Sequence, residues 1–168
     1  MRKVLFIFGQ LADVDVEWLA RAGRRQRLPV GSFLIREGVP VDTLYILLEG
    51  QVSVSAAGRE VARLGAGEIV GEMSFIEKRP PSATVSTWTD VVVCAIAKDA
   101  LQERLDMDVA FAARFYKAVA TLLSDRLRQA THAQTDPRAA DELDEWVLDN
   151  VDRAGARFDE LGRRLLDS

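Results

Sequence analysis

Cysteine and histidine are almost missing from this chain of 168 residues, which has one of each, Cys94 and His132. A single cysteine cannot close an intramolecular disulfide, so the fold must rest on its core and a reducing, cytoplasmic setting is expected. A single histidine removes multi-histidine metal sites and Cys/His clusters. It also leaves a Ser-His-Asp triad only His132, which lies in a charged helical stretch far from any G-x-S-x-G turn. Metal and triad enzymes are therefore not expected, and neither is a cofactor. Long apolar runs are lacking too: Val4-Leu5-Phe6-Ile7-Phe8 ends at Gly9-Gln10, too short for a signal sequence, and nothing approaches the ~20 residues that cross a bilayer. Cys94, inside the apolar run Val91–Ile96, reads as a core thiol.

The chain also lacks a strong charge of either sign. Its 22 basic and 26 acidic side chains leave a net charge of −4, with no overall pull towards nucleic acid. The imbalance is local. Residues 1–135 sum to +1 and residues 136–168 to −5, with Asp136-Pro137 at the junction as a candidate helix cap and first turn. The expected organisation is thus a unit over 1–131 and an acidic helical extension over 136–168.

An amphipathic helix is expected first, capped by Asp13, with Val14, Trp18 and Ala22 on its apolar face and Gly23 at its end. Arg24-Arg25-Gln26-Arg27 reads as a solvated helix end or loop. Short strand-like runs then alternate with glycine: Phe33–Ile35, Leu44–Leu48, Val52–Ser55, Val61–Leu64, Val85–Trp88 and Val91–Ile96. Such spacing predicts an antiparallel sandwich, roll or barrel. Helical periodicity returns from Asp99 to Thr131. Its stripe of Val109, Ala112, Tyr116, Val119, Leu123 and Ala130 is interrupted by the charge of Arg126, and suits either a core face or a dimer seam. A second stripe, Leu143, Val147, Val151, Ala154, Phe158, Leu161 and Leu165, occupies the extension, where Gly155 either breaks or weakens the helix.

The segment from Gly71 to Val85 carries the candidate chemistry. Gly71 admits a close ligand, Glu72–Ile76 can form one helical turn with free N–H groups, and Ser82 and Thr84 offer hydroxyls. The order Gly71-Glu72-Met73-Ser74-Phe75, a spacer, then Pro80-Pro81-Ser82-Ala83-Thr84-Val85 resembles the phosphate-binding cassette of cyclic nucleotide-binding domains. Ile35-Arg36-Glu37-Gly38, Asp42–Gly50 and Gly65-Ala66-Gly67-Glu68 are similar to the β-roll of the same family, and the likeness extends over roughly residues 5–131. It implies a mainly β fold with flanking helices. That fold is an antiparallel double-stranded β-roll (jelly-roll-like), followed by a long helix at about 99–131 and a helical tail.

The resemblance also implies site roles. Gly71 and the backbone around Met73 and Ser74 would line the cyclic phosphate, and Glu72 would accept the ribose 2′-hydroxyl. Ser82 and Ala83 would donate to the phosphate, Thr84 would sit beside base or phosphate, and Thr131 and His132 would reach the purine. Pro81 stands where the family places its phosphate-anchoring arginine, and it supplies neither charge nor N–H. Arg79 would reach the phosphate only through a reshaped loop; otherwise it is solvated. The expected functions are a non-enzymatic sensor that binds cAMP or cGMP weakly and signals through its C-terminal helices, or a degenerate roll for dimerisation or protein interaction. A homodimer through the long helix and a protein partner at the C-terminal helices are expected; nucleic-acid binding and membrane insertion are not. The 33 residues after Thr135 are too few and too acidic for a winged helix.

Overall fold

The computed structural model describes residues 7–132 and 151–166. Asp136, Pro137, Leu143 and Val147, on which parts of the expected C-terminal pattern rest, lie outside the described residues. In chain order the elements are α1 (Asp13–Ala22), β1 (Arg24–Leu28), β2 (Phe33–Ile35), β3 (Thr43–Glu49), β4 (Val52–Ala56), β5 (Arg59–Leu64) and β6 (Ile69–Val70). They are followed by α2 (Glu72–Glu77), β7 (Thr84–Thr87), β8 (Val91–Ala97), α3 (Lys98–Met107), α4 (Val109–His132) and α5 (Val151–Leu166).

Two antiparallel four-stranded sheets form the expected roll, in the orders β1-β8-β3-β6 and β2-β7-β4-β5. β8 shows why the sequence there is unbroken in apolar character. Side chains alternate across a strand, and here both faces are covered. Val91 and Val93 face the core between the sheets, with Leu34, Ile35, Leu47, Val52, Leu64, Val70 and Val85. Val92, Cys94 and Ile96 join a second core with Leu44, Ile46 and the helices. Cys94 is fully buried, and burial pushes its thiol pKa up to about 12.

Several local expectations shift. The buried face of α1 is Val16, Leu19 and Ala20, whereas Val14 is exposed. Asp13 is the first residue of α1 and not its cap; the Ala12 N–H is instead satisfied by Asp15 Oδ2 at 2.7 Å. Arg24-Arg25-Gln26-Arg27 is neither a helix end nor a loop. It is most of β1, which among the described residues pairs only with β8, and charged side chains suit a sheet edge that should not recruit another strand. The long helix of 99–131 is two helices. The Asp108 N–H closes α3 on the Arg104 carbonyl at 3.0 Å, and the Asp108 carboxylate caps α4 by accepting the Phe111 N–H at 2.9 Å.

The stripe on α4 is also rotated from the expected one. Phe111, Phe115, Ala118, Val119 and Leu122 are buried, while Val109 and Tyr116 are exposed. Phe111 and Phe115, their ring centroids 5.9 Å apart, anchor the buried face, which leaves Val109 and Tyr116 on the outside. Among the described residues of the extension, one helix runs through Gly155 unbroken. It buries Ala154, Leu161 and Leu165 in the core shared by α1 and β8, and Phe158 meets Phe8 edge-on at 5.4 Å. None of the described helices is long and apolar enough to cross a membrane.

A buried carboxylate and a close-packed glycine fix α1. Asp15, fully buried, accepts a forked pair of bonds from Arg114 of α4 at 2.6 and 2.8 Å. At the C-terminus of α1, Gly23 has no room for a side chain: a Cβ would overlap Cys94 Sγ and lie 2.8 Å from the Leu19 carbonyl oxygen.

Gly23→Ala should therefore destabilise the protein by about 1–3 kcal/mol in chemical denaturation, the usual cost of overpacking. In native protein at neutral pH, Cys94 should resist thiol reagents and become reactive only in denaturant. Labelling at the same rate with and without denaturant would contradict the burial.

Candidate functional site

The segment 71–85 wraps one end of the roll. Gly71, at φ 92°, takes the left-handed conformation that turns β6 into α2, and a Cβ there would come within 3.0 Å of the Thr43 carbonyl oxygen. Glycine is required on both counts. The returning strand is held to β2: the Gly38 N–H donates to the Pro81 carbonyl at 2.8 Å, and the Glu37 N–H donates to Thr84 Oγ1 at 3.0 Å.

A cavity of about 100 Å³ opens between these segments, its floor made by Ile35, Val54, Leu64, Val70 and Val85. Gly71, Glu72, Met73, Ser74, Pro81, Ser82 and Ala83 line its wall. Seven of the ten candidate residues are thus gathered at one cavity. Three are not among its lining. Thr84 is occupied by Glu37; Thr131 is exposed on α4 and donates its hydroxyl to the Leu127 carbonyl at 2.9 Å. Arg79 is exposed on the far side of α2, beside a separate groove with Pro40, Lys78 and Lys98.

Sequence reasoning missed the cation that does enter the cavity. By sequence, Arg126 reads only as an interruption of the α4 stripe. Its guanidinium lies in the cavity wall, with Nη1 donating to Glu72 Oε1 at 2.6 Å and Nη2 to the Ile69 carbonyl at 2.7 Å. Glu68 Oε1, fully buried, stands 3.7 Å from the same Nη2. A charged residue at a core-facing helical position, with two otherwise apolar-flanked glutamates upstream, was the signal that could have found it.

Charge in the wall is therefore tightly set. Burial raises the Glu72 carboxyl above its usual 4.5, and the Arg126 guanidinium opposes that rise. Lys98, the first residue of α3, donates from Nζ to Ser74 Oγ at 2.7 Å. Burial lowers its pKa, while Glu72 and Asp42 pull it back up. Ser74 Oγ also lies 3.2 Å from the Gly71 carbonyl, a longer and weaker contact. The arrangement offers hydrogen-bond acceptors at Glu72, hydroxyls at Ser74 and Ser82, and apolar surface for a ring.

Arg126→Met should leave Glu72 and Glu68 without their cation. Loss of one partner of a buried pair costs about 3–5 kcal/mol, towards the lower end here because Arg126 is partly exposed. The folded-state pKa of Glu72 would then rise further, so the deficit against native protein should grow as pH climbs above 4.5 and shrink as the carboxyl protonates. Denaturant titrations at several pH values between 4.5 and 7.5 check this; a deficit independent of pH would contradict it.

Comparison with known proteins agrees with this geometry. Residues 25–108, half of the chain, match the cyclic nucleotide-binding domain family. An uncharacterised NTE family protein of Mycobacterium tuberculosis is 30% identical over 164 residues, covering 94% of this chain and 27% of that protein. A cyclic nucleotide-gated potassium channel of Mesorhizobium japonicum is 34% identical over 90 residues, 54% of this chain and 25% of the channel. The chain spans about a quarter of the length of these curated relatives. Among solved structures, a cyclic nucleotide-binding domain from Methylobacillus flagellatus superposes with a TM-score of 0.69 at 25% identity, covering 84% of this chain and 86% of that one. The catabolite activator protein of Thermus thermophilus gives 0.63 at 25% identity, over 77% and 61% of the two chains. By its matched sequence, its two four-stranded sheets and its glycine-turned loop at 71–85, this chain belongs to the cyclic nucleotide-binding domain family.

Proposed function

We propose that the chain is a regulatory, non-enzymatic unit that takes cAMP or cGMP weakly in the 71–85 cavity and passes occupancy to α4. One observation carries this reading: Arg126, on α4, holds the carboxylate of Glu72. Glu72 is the residue that the family resemblance assigns to the ribose 2′-hydroxyl, so ligand and helix compete for one acceptor. At about 100 Å³ the cavity is smaller than the ~300 Å³ at which ordinary ligand sites begin. A nucleotide therefore enters only when Arg126 withdraws. Occupancy then favours a displaced α4, which is the differential affinity that any ligand-driven switch requires. The names of relatives support the same reading, since one is a nucleotide-gated channel and another, from Toxoplasma gondii, a cGMP-dependent protein kinase.

The affinity should be low. An arginine at Pro81 would add charge-assisted bonds of about 1.5–3 kcal/mol, roughly ten- to a hundredfold in binding. Withdrawing Arg126 adds a further cost. We place the unit in the cytoplasm, where its one buried thiol stays reduced, with α4 and α5 as the route to a protein partner. Val109, Tyr116 and Leu127, exposed along α4, are the surface assigned to a second copy in a homodimer. Sedimentation that stays monomeric at high concentration would remove that assignment.

The second reading is a degenerate roll that binds no nucleotide and serves protein interaction; Pro81 and the small cavity walled by Arg126 favour it. Calorimetry and thermal melts with cAMP and cGMP separate the two. The sensor reading predicts stabilisation of the native chain at millimolar ligand, by about 2.7 kcal/mol at a hundred times the dissociation constant. It predicts about tenfold or more tighter binding for Pro81→Arg. A response from Pro81→Arg but none from native protein would establish the degenerate reading.

A further inference from the structure

A bound cyclic nucleotide carries a phosphate, and Pro81 leaves that phosphate without the loop arginine. Four cations among the described residues stand near the loop, and Lys78, at the end of α2, is exposed in the separate groove. Arg79 is exposed on the other side of α2 and faces a different groove. Arg126, bonded to Glu72 and the Ile69 carbonyl in the empty cavity, has to withdraw with α4 before a nucleotide enters, so its charge leaves the site. Lys98 remains.

Lys98 is well placed and rigidly based. It begins α3, and its own N–H is fixed on the Asp42 carbonyl at 2.8 Å. Its ammonium reaches Ser74 Oγ at 2.7 Å. Ser74 forms the partition between the two spaces: it lines the 71–85 cavity on one side and the groove holding Lys98 on the other. A hydroxyl that accepts from an ammonium becomes a stronger donor, because hydrogen bonds in a chain polarise one another. The Ser74 hydroxyl proton has only the 3.2 Å contact with the Gly71 carbonyl to give up. Turned into the cavity, it would offer an anion one polarised donor with a full positive charge directly behind it.

We propose that Lys98, acting through Ser74, supplies the positive charge for the phosphate of a bound cyclic nucleotide in place of the arginine absent at position 81. The inference rests on the sensor reading above, and it makes Lys98 a positioning residue that does not itself touch the ligand. The bland alternative is that Lys98–Ser74 merely ties α3 to α2. The two differ in how they respond to a restored loop arginine. A tie would matter equally with or without it, whereas a substitute charge becomes redundant.

The experiment is a double-mutant cycle on the full chain, with cAMP binding measured by calorimetry in native, Lys98→Gln, Pro81→Arg and the double variant. Lys98→Gln should weaken cAMP about tenfold in the native background and less than about threefold beside Pro81→Arg. Ser74→Ala, which removes the relay and leaves the ammonium in place, should reproduce the loss. Adding Lys98→Gln to Ser74→Ala should then cost little more, because the charge has lost its relay. Lys98→Arg should recover most of the affinity, and the binding of native protein should weaken with salt more steeply than that of Lys98→Gln. Equal losses in both backgrounds, or no loss in either, would overturn the relay while leaving the sensor reading standing. A native chain that binds neither cAMP nor cGMP would overturn both.

Discussion

The bond between Arg126 and Glu72 is the constraint on which the site depends. It joins the long helix to the loop that shapes the cavity, and it satisfies a carboxylate that is nearly fully buried. Without it, burial alone would push Glu72 towards its neutral form. The same guanidinium donates to the Ile69 carbonyl at the start of β6, so the strand that leads into Gly71 is held by the helix as well. One side chain thus ties the C-terminal half of α4 to the loop, opposes the neutralisation of Glu72 and walls the cavity.

Helix α4 is held at two points of unlike character. Near its start, Arg114 grips the buried Asp15 with two parallel bonds, inside a packed cluster of Trp18, Phe111 and Phe115. Twelve residues on, roughly 18 Å along the axis, Arg126 makes its contacts at the rim of a cavity. The first attachment belongs to the core and competes with nothing. The second lies where a ligand in the cavity would meet it. Motion driven by a ligand should accordingly concentrate in the C-terminal half of α4, with the Arg114 end as its fixed point. α5 adds to that fixed end, since Arg157 bonds Asp13 Oδ1 at 2.7 Å and the Phe8 carbonyl at 3.0 Å.

Much of this was legible in the sequence, and the reasons differ from element to element. The roll was readable because glycines punctuate strands whose apolar residues serve two cores, and the cassette because Gly71, Glu72 and Ser82–Thr84 lie close together in the chain. β1 was missed because a sheet edge tolerates Arg24-Arg25-Gln26-Arg27, which carries no strand-like apolar pattern. The break at Asp108 was missed because one aspartate can sit inside a helix or cap the next, and only the bond to the Phe111 N–H decides. Arg126 and Lys98 were missed for a deeper reason. Each meets the cassette from far along the chain, 54 and 24 residues away, and no local pattern encodes such a meeting. The acid excess of the extension belongs wholly to residues 136–150; the described helix α5 carries Arg153, Arg157, Arg163 and Arg164 against three acids.

The central claim is that cavity occupancy moves the C-terminal half of α4 through the Arg126–Glu72 bond. The most direct measurement is a distance between two spin labels, one on the exposed Leu127 of α4 and one on the exposed Val61 of β5, each placed by substitution to cysteine. Cys94, buried and with a thiol pKa near 12, should stay unlabelled in the native protein. The account predicts that saturating cAMP shifts this distance in the native background, and that Arg126→Met shifts it in the same direction without ligand. A distance unchanged by ligand, in a sample that calorimetry shows to be saturated, would contradict it.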